Sequence, residues 1–253
     1  DMPKVETIGS DAFAYCTNLT TISDLSGVTS IEERVFSGCS ALEIDIKLLK
    51  ITELPNYVFN GCTNLKSVEI PEVTSIGESA FRECASLVSV DISGVTSLGA
   101  YAFSYCSSLA IDLYMPNITT IPYIAFGSCT NLKSVNLPNV EVVQSTAFSQ
   151  CSSITEAYLP KVTTIEQYAF NSCGSLESID LPSATSIGNS AFSSCDKLTT
   201  LKLTTESAIT CGTNLFGYTC DPSAITLYIS QINSNVANLT DGTYTFKEII
   251  YID

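Results

Sequence analysis

Apolar side chains recur along this chain with a period of 22 or 23 residues. Phenylalanine marks the period most clearly, and each of these Phe residues is followed three places later by Cys and six places later by Leu or Ile. Five places before each Phe stands Ile, Leu or Val. The nine positions are Phe13, Phe36, Phe59, Phe81, Phe103, Phe126, Phe148, Phe170 and Phe192. Because one coil of this length cannot bury its apolar side chains alone, nine copies in register predict a solenoid of stacked coils.

The residues that follow each Cys alternate between apolar and polar side chains. In the fourth repeat this segment runs Leu87-Val-Ser-Val90-Asp-Ile92. A period of two predicts a β-strand with Val90 and Ile92 in the core and the polar pair on the open side. Strands from successive coils then pair as a parallel sheet with a spacing of roughly 4.8 Å. In two longer repeats an extra residue shifts the inward pair, to Ile46 and Leu48 or to Leu113 and Met115.

The nine regular repeats cover residues 1–203, and residues 204–253 depart from the pattern. The stretch 204–222 predicts an irregular tenth turn. It is followed by a further alternating segment, which predicts a tenth strand at Ile225, Leu227 and Ile229. The apolar end of the chain predicts a closing cap, because the open end of a solenoid needs a cover.

The consensus of the repeats, V-T-x-I-G-x-x-A-F-x-x-C-x-x-L-x-x-V-x-L-P, resembles the BspA-type leucine-rich repeat. One near-consensus copy begins at Val162, places Phe170 and Cys173 at the family's apolar positions, and ends at Pro182. The resemblance implies an α/β-type solenoid, a right-handed superhelix with a parallel β-sheet on its concave face and short irregular or helical turns on its convex face. It also implies a surface protein of anaerobic gut or oral bacteria, or of some parasitic protists, that adheres to host matrix proteins or other microbes.

Composition and charge exclude several classes of partner. The chain has a formal net charge of −15, and its 11 Lys and Arg residues are scattered along it. Without a basic cluster to neutralise phosphates, neither nucleic acid nor an anionic membrane surface is predicted as a partner. No apolar run approaches the roughly 18 residues of a membrane span, so this segment is not expected to enter a membrane. The chain has no His, the commonest general base and metal ligand, and no cofactor or metal is predicted.

The Cys residues of the nine repeats predict a column of buried thiols. No C-x-x-C pair occurs, and identical positions on stacked coils have parallel side-chain vectors, which suit a disulfide poorly. Nine unpaired thiols in an exported protein fit a reducing, oxygen-poor habitat. Cys211 and Cys220 lie outside the column, and the sequence leaves open whether they form a disulfide.

The polar positions of the predicted strands are the candidate binding surface, on the concave face. Tyr114 and Tyr158 are flanked there by Asp112 and Glu156, which predicts a mixed aromatic and acidic patch. Tyr is enriched at binding hot spots, although an ordinary solvated sheet presents the same residue types. The candidate partner-binding residues are Glu69, Asp91, Asp112, Tyr114, Asn136, Glu156, Tyr158 and Asp180.

Catalysis has little support in the sequence. Carboxylates on an open sheet lack the pocket and the tuned pKa that glycoside hydrolysis needs, and no nucleophile-elbow or phosphate-loop motif occurs. We therefore expect a non-enzymatic binding or adhesion module, exported to the cell surface or secreted, with its leader outside this chain. Its partner would be an extracellular protein or glycan, held by a monomer through many weak contacts. A structural spacer that displays another domain is the alternative.

Overall fold

A computed structural model describes residues 5–22, 24–43, 45–239 and 242–252. The chain divides into two compact units. Unit 1 contains Asp1–Ile111 and Ala125–Asn131, and unit 2 contains Asp112–Ile124 and Leu132–Asp253. Each unit is a parallel β-solenoid, because its strands come from successive repeats and pair in parallel.

Two kinds of strand occur in the repeats. The first lies in the segment after the Cys, as predicted, and we call the pairing of these strands the first ladder. The second lies in the V-T-x-I segment before the Phe, and its pairing forms a second ladder that the sequence pattern did not predict. Both run in register, so that equivalent residues of neighbouring repeats lie side by side.

Unit 1 contains only short strands among its described residues, each two residues long. They are β1 (Thr7–Ile8), β2 (Ser30–Ile31), β3 (Ile46–Lys47), β4 (Glu53–Leu54), β5 (Val68–Glu69), β6 (Ser75–Ile76) and β7 (Ser97–Leu98). In the first ladder β3 pairs with β5, and a single bridge joins Ser67 to Ser89. In the second ladder β1 pairs with β2, and β4, β6 and β7 form a three-stranded sheet.

Unit 2 contains longer strands and larger sheets. Its strands are β8 (Asp112–Tyr114), β9 (Thr120–Ile121), β10 (Ser134–Asn136), β11 (Val142–Val143), β12 (Glu156–Tyr158), β13 (Thr164–Ile165), β14 (Ser178–Asp180), β15 (Ser186–Ile187), β16 (Thr200–Leu203), β17 (Thr210–Cys211), β18 (Thr226–Ser230) and β19 (Glu248–Ile252). The first ladder is a seven-stranded sheet in the order β19-β18-β16-β14-β12-β10-β8, and the second is a five-stranded sheet from β17 to β9. The predicted tenth strand is β18, which contains Leu227 and Ile229 and begins one residue after Ile225; all three side chains are fully buried.

The chain has much less helix than the predicted α/β-type solenoid with helical turns. In the described part of the chain there is no α-helix, and the two 3-10 turns are Pro222–Ala224 and Gln231–Asn233. The turns around each Phe are instead tight and irregular. The fold is therefore a parallel β-solenoid with almost no helix, while the right-handed superhelix and the concave position of the sheet remain predictions.

The recurring Phe side chains form the core, as predicted. Eight of the nine are fully buried, and Phe13 in the first repeat is half-buried. In unit 1 their rings stack from Phe13 to Phe126 with centroids 5.1–5.5 Å apart. In unit 2 Phe170 stacks on both of its neighbours, at 5.2 and 6.0 Å. Offset ring pairs at these distances add to the stabilisation that burial itself supplies.

The Cys column is buried beside the Phe column and makes a contact that the sequence did not reveal. The Sγ of Cys84 donates to the carbonyl oxygen of Phe59 in the preceding repeat at 3.1 Å, and Cys173 does the same to Phe148 at 3.2 Å. Among the described residues no Cys forms a disulfide, and this includes Cys211 and Cys220. Of the nine in the column, all but Cys16 are buried, so these thiols pack as small apolar groups that also satisfy a buried carbonyl.

The turns on either side of each Phe are held by backbone geometry. In the fourth repeat Ser79 and Glu83 adopt φ angles of 53° and 63°, in the left-handed region. These two residues and Phe81 between them donate their N–H groups to carbonyl oxygens of the next repeat at 2.8–2.9 Å. A close approach also explains Gly188, where a Cβ would lie 2.4 Å from the backbone nitrogen of Gln167.

Candidate functional site

The predicted partner-binding residues all lie on the outward side of the first ladder, which we call the sheet face of each unit. Every one of the eight is exposed. Six of them line one shallow depression of about 380 Å³ in unit 2, namely Asp112, Tyr114, Asn136, Glu156, Tyr158 and Asp180. The other two, Glu69 and Asp91, line a separate depression of about 660 Å³ in unit 1.

Strand register positions the six residues of unit 2 in two rows. In β10 the buried Val135 separates Ser134 from Asn136, and the same alternation holds in β8, β12 and β14. Pairing then places Asn136 between Tyr114 and Tyr158 in one row, and Ser134 between two carboxylates in the other. The geometry follows directly from the period of two and the constant repeat length.

The two tyrosines are the most prominent side chains of this face. Tyr114 is 49% exposed and Tyr158 is 58% exposed. Because they lie two strands apart, their backbones are separated by roughly 9.6 Å, twice the strand spacing. The smaller Asn136 occupies the strand between them, which leaves a notch bounded by two aromatic rings. Rigid aromatic side chains on either side of a notch are typical anchors of binding surfaces.

Two carboxylates of this face, Asp112 and Glu156, have only serines as cross-strand neighbours, while Asp180 lies beside Lys202. The hydroxyl of Ser134 donates to Asp112 at 2.7 Å and fixes the direction of that carboxylate. Within the part of unit 2 that the structure describes, no Lys or Arg lies within 4.0 Å of an acidic oxygen, so Asp112, Glu156 and Asp180 form no ion pair. The face is therefore acidic and aromatic at once.

Glu69 and Asp91 in unit 1 have local partners that the sequence analysis missed. Glu69 forms an ion pair at 2.8 Å with Lys47, in the preceding strand of the first ladder. Asp91 accepts hydrogen bonds from the backbone N–H of Ser93 at 3.0 Å and from its hydroxyl at 2.7 Å, and these bonds hold the pKa of Asp91 below its usual value. The Asp-x-Ser spacing, which recurs at Asp24, was the signal for this turn.

Metal ligands and reactive thiols are further candidates for functional groups among the described residues. Across residues 5–22, 24–43, 45–239 and 242–252, no group of three or more Cys, Asp or Glu side chains could hold a metal ion. Burial raises the pKa of Cys39 to about 11, and desolvation likewise raises the pKa of Cys84 and Cys173, so these thiols remain protonated and unreactive near neutral pH.

Among the described residues, no helix has the length and apolar character needed to span a membrane.

A sequence model of the BspA type leucine rich repeat region matches residues 2–110 and 111–249, in six copies. The two matched ranges together cover nearly the whole chain. No curated protein matches the chain.

Solved structures of bacterial leucine-rich repeat proteins have a similar fold. One is a leucine-rich repeat protein from Bacteroides ovatus, with a TM-score of 0.65 and 23% identity over 89% of this chain. This chain spans 64% of the length of that protein. Another is a leucine rich cell surface protein from Faecalibacterium prausnitzii, with a TM-score of 0.56 and 23% identity over 98% of this chain and 70% of that one. At such identity the likeness concerns the fold alone.

Proposed function

Because the chain belongs to the BspA type leucine rich repeat family, we propose that it is a non-enzymatic binding module exposed on, or secreted from, a bacterial cell. In this proposal a monomer uses the sheet face of unit 2, on the concave side of a right-handed superhelix, to hold an extracellular protein or glycan. Residues 204–253 would act as the irregular turn and cap that close the nine repeats. The cell-surface description of the Faecalibacterium relative supports the location.

One observation carries the proposal: six exposed polar and aromatic side chains from four strands converge on a single depression. The strands that present them are fixed by buried neighbours, so a partner would meet a surface that is already ordered. Preorganised side chains lose little conformational entropy on binding, which favours association. The stacked repeats also allow an extended partner to make many weak contacts at once.

The same face offers poor support for catalysis. Asp112 and Glu156 lie on exposed strands with one strand between them, and nothing on the face shields either carboxylate from water. A general acid at neutral pH needs an environment that raises its pKa, usually an apolar pocket. We therefore propose that these carboxylates contact a partner and do not take part in a reaction.

The test is binding to purified extracellular matrix proteins and to a glycan array. We expect wild-type protein to bind at least one of these, and the double variant Y114S/Y158S to lose most of that binding while it keeps the wild-type melting temperature. The matched control is Y15S/Y218S, which removes two exposed tyrosines outside the sheet face, and which should bind as wild type does. Equal binding by Y114S/Y158S and wild type would contradict the proposal.

A spacer that displays another domain is the second candidate, supported by the regular stacking of identical buried positions in each unit. It predicts that an unrelated solenoid of equal length, substituted in the full-length protein, restores adhesion by cells. It also predicts that Y114S/Y158S has no effect. The binding module predicts the reverse in both experiments.

A further inference from the structure

On the sheet face of unit 2, Asp112 and Glu156 have no cation as a cross-strand neighbour, whereas on the sheet face of unit 1 Glu69 has Lys47. In unit 1, Lys47 donates a hydrogen bond to Glu69 across 2.8 Å. This bond is the main cause that raises the pKa of Lys47, and the charges of Asp45 and Asp24 raise it further. In the described part of unit 2, Asp112 and Glu156 have no such neighbour. Among the described residues none supplies a cation to Asp112 or Glu156, so a cation that pairs with them is expected from a partner.

The residue two places after the last residue of a strand explains why Asp180 in unit 2 lacks the local hydrogen bonds of Asp91. In unit 1, the residue two places after Asp91 is Ser93, whose N–H and hydroxyl bind that carboxylate. In unit 2, the corresponding residue after each of four strands is Pro, which has no N–H to donate. Asp180 is followed by Leu181 and Pro182, so it cannot accept the backbone hydrogen bond that Ser93 donates to Asp91. The prolines are Pro116, Pro138, Pro160 and Pro182.

The row of unit 2 that contains Tyr114, Asn136, Tyr158 and Asp180 continues to a Lys, which shows how a cation lies on this face. Lys202 follows Asp180 in the register, and its Nζ lies 5.6 Å from the ring centroid of Tyr228 in the next strand. A Lys ammonium over a Tyr ring is attracted by the negative face of the aromatic system. Tyr114 and Tyr158 present the same kind of ring, with carboxylates in the adjacent row, but have no Lys beside them.

We propose that the partner of this face is an extended basic peptide segment, whose Lys or Arg side chains enter the notch between Tyr114 and Tyr158 and pair with Asp112 and Glu156. The inference rests on the proposed function and specifies the chemistry of the partner. Charge complementarity carries it, because an acidic face with aromatic walls stabilises a cation both by Coulomb attraction and by contact with the rings. A neutral glycan would use the rings and leave the carboxylates unpaired.

Strand spacing also sets the spacing of the cations. Asp112 and Glu156 are two strands apart, or roughly 9.6 Å. A polyproline II segment rises about 3.1 Å per residue with three residues per turn, so every third residue faces the same way at intervals of about 9.3 Å. A peptide of the form (Lys-Pro-Pro)4 therefore presents ammonium groups in nearly the register of the two carboxylates.

The experiment measures fluorescence anisotropy of fluorescein-labelled (Lys-Pro-Pro)4 with the whole chain, at two salt concentrations. We expect saturable binding that weakens with salt, and about tenfold weaker binding by D112N/E156Q, as expected for two charge pairs at an exposed site. The control variant D196N/E206Q removes two exposed carboxylates elsewhere in unit 2 and should change the affinity less than twofold. Thermal melts establish that both variants are folded.

Other results would overturn the inference in distinguishable ways. Equal loss in both double variants would mean that overall acidity, not this face, attracts the peptide. If cellohexaose or chitohexaose binds and loses its binding in Y114S/Y158S, while (Lys-Pro-Pro)4 does not bind, the proposed binding face stands and the basic partner is wrong. If neither probe binds and Y114S/Y158S also leaves capture of matrix proteins unchanged, the proposed function itself fails.

Discussion

The two units bury the same pattern and present different surfaces. Both stack Phe and Cys in columns, and both contain the second ladder. On the sheet face, however, unit 1 has two-residue strands, the ion pair of Lys47 with Glu69, and Asp91 bound by Ser93. Unit 2 has a seven-stranded sheet with exposed tyrosines, and the acids in its described part form no ion pair. The comparison teaches that the repeat pattern determines the fold, and that only the few outward positions decide whether the charges of the sheet face are paired within the unit.

Loss of a core ring is the change expected to have the largest effect, and it tests whether the short strands of unit 1 matter. Phe81→Ala in unit 1 and Phe170→Ala in unit 2 should each lower the free energy of unfolding by about 4 kcal/mol, since each leaves a cavity among stacked rings. Because unit 1 has fewer strand hydrogen bonds to hold neighbouring repeats, its loss of amide protection should spread further. Chemical denaturation measures the free energy of unfolding, and hydrogen exchange measures how many neighbouring repeats lose amide protection. If protection is lost over equally many repeats in both units, strand length does not affect how the repeats hold one another.

A glycine substitution tests the second ladder, in which the two units should be alike. Gly99→Ala and Gly188→Ala each place a Cβ 2.4 Å from a backbone nitrogen of the preceding repeat. We expect each to lower the free energy of unfolding by about 2 kcal/mol, a typical result of overpacking. The control is Gly94→Ala, where the nearest atom would be 3.8 Å away and little change is expected. A large difference between Gly99→Ala and Gly188→Ala would mean that the second ladder is not equivalent in the two units.

Removal of Lys47 should make the sheet face of unit 1 resemble that of unit 2. Lys47→Met leaves Glu69 and Asp45 without their cation while it preserves the length of the side chain. We expect (Lys-Pro-Pro)4 to bind this variant roughly threefold more tightly than wild type, a modest gain because exposed charge pairs contribute little individually. Lys50→Met, which removes an exposed Lys that forms no ion pair with any described residue, is the matched control for net charge. The same gain from both variants would contradict a local effect.

The turn at Asp91 should give the smallest effect, as a dependence of stability on pH. Its carboxylate has a lowered pKa because it accepts bonds from the Ser93 N–H and hydroxyl, so the stabilisation is present above the ordinary carboxyl pKa of about 4 and is lost as pH falls through the lower folded value. Asp91→Asn should remove less than about 0.5 kcal/mol of this pH-dependent stability, since solvent screens the site.

Thermal melts between pH 2 and pH 6 measure this difference between wild type and variant. The control Asp180→Asn occupies the equivalent position before Pro182, which supplies no N–H. We expect its melting curve to follow wild type through the acid range more closely than Asp91→Asn does. If both variants respond alike, the Ser93 turn does not account for the behaviour of Asp91.

Sequence alone predicted the buried columns and the outward rows, because both depend on spacing within one repeat. Phe81 and Cys84 are buried, and Asp112 and Tyr114 face outward, as the periods of 22 or 23 and of two required. The convergence of six predicted residues on one depression follows from constant repeat length, which brings equivalent positions into register.

Interactions between repeats were the part that sequence could not supply. The pairing of Lys47 with Glu69 depends on which rotamers meet across two strands, and the bond from Cys84 to the Phe59 carbonyl depends on backbone orientation. Each strand of the V-T-x-I segment is two residues long and has a single buried position. A period of two cannot be recognised over so few residues, so the sequence did not predict the second ladder. The helical turns were implied by family resemblance, and the left-handed turns around each Phe replace them here.

The most direct measurement of the central claim is oxidative footprinting of tyrosines by mass spectrometry, with and without the partner that the matrix or glycan panel identifies. If that partner lies on the sheet face of unit 2, Tyr114 and Tyr158 should be protected from modification, while Tyr15 and Tyr218 react as in the free protein. Unchanged reactivity of Tyr114 and Tyr158 in a saturated complex would contradict the claim that this face holds the partner.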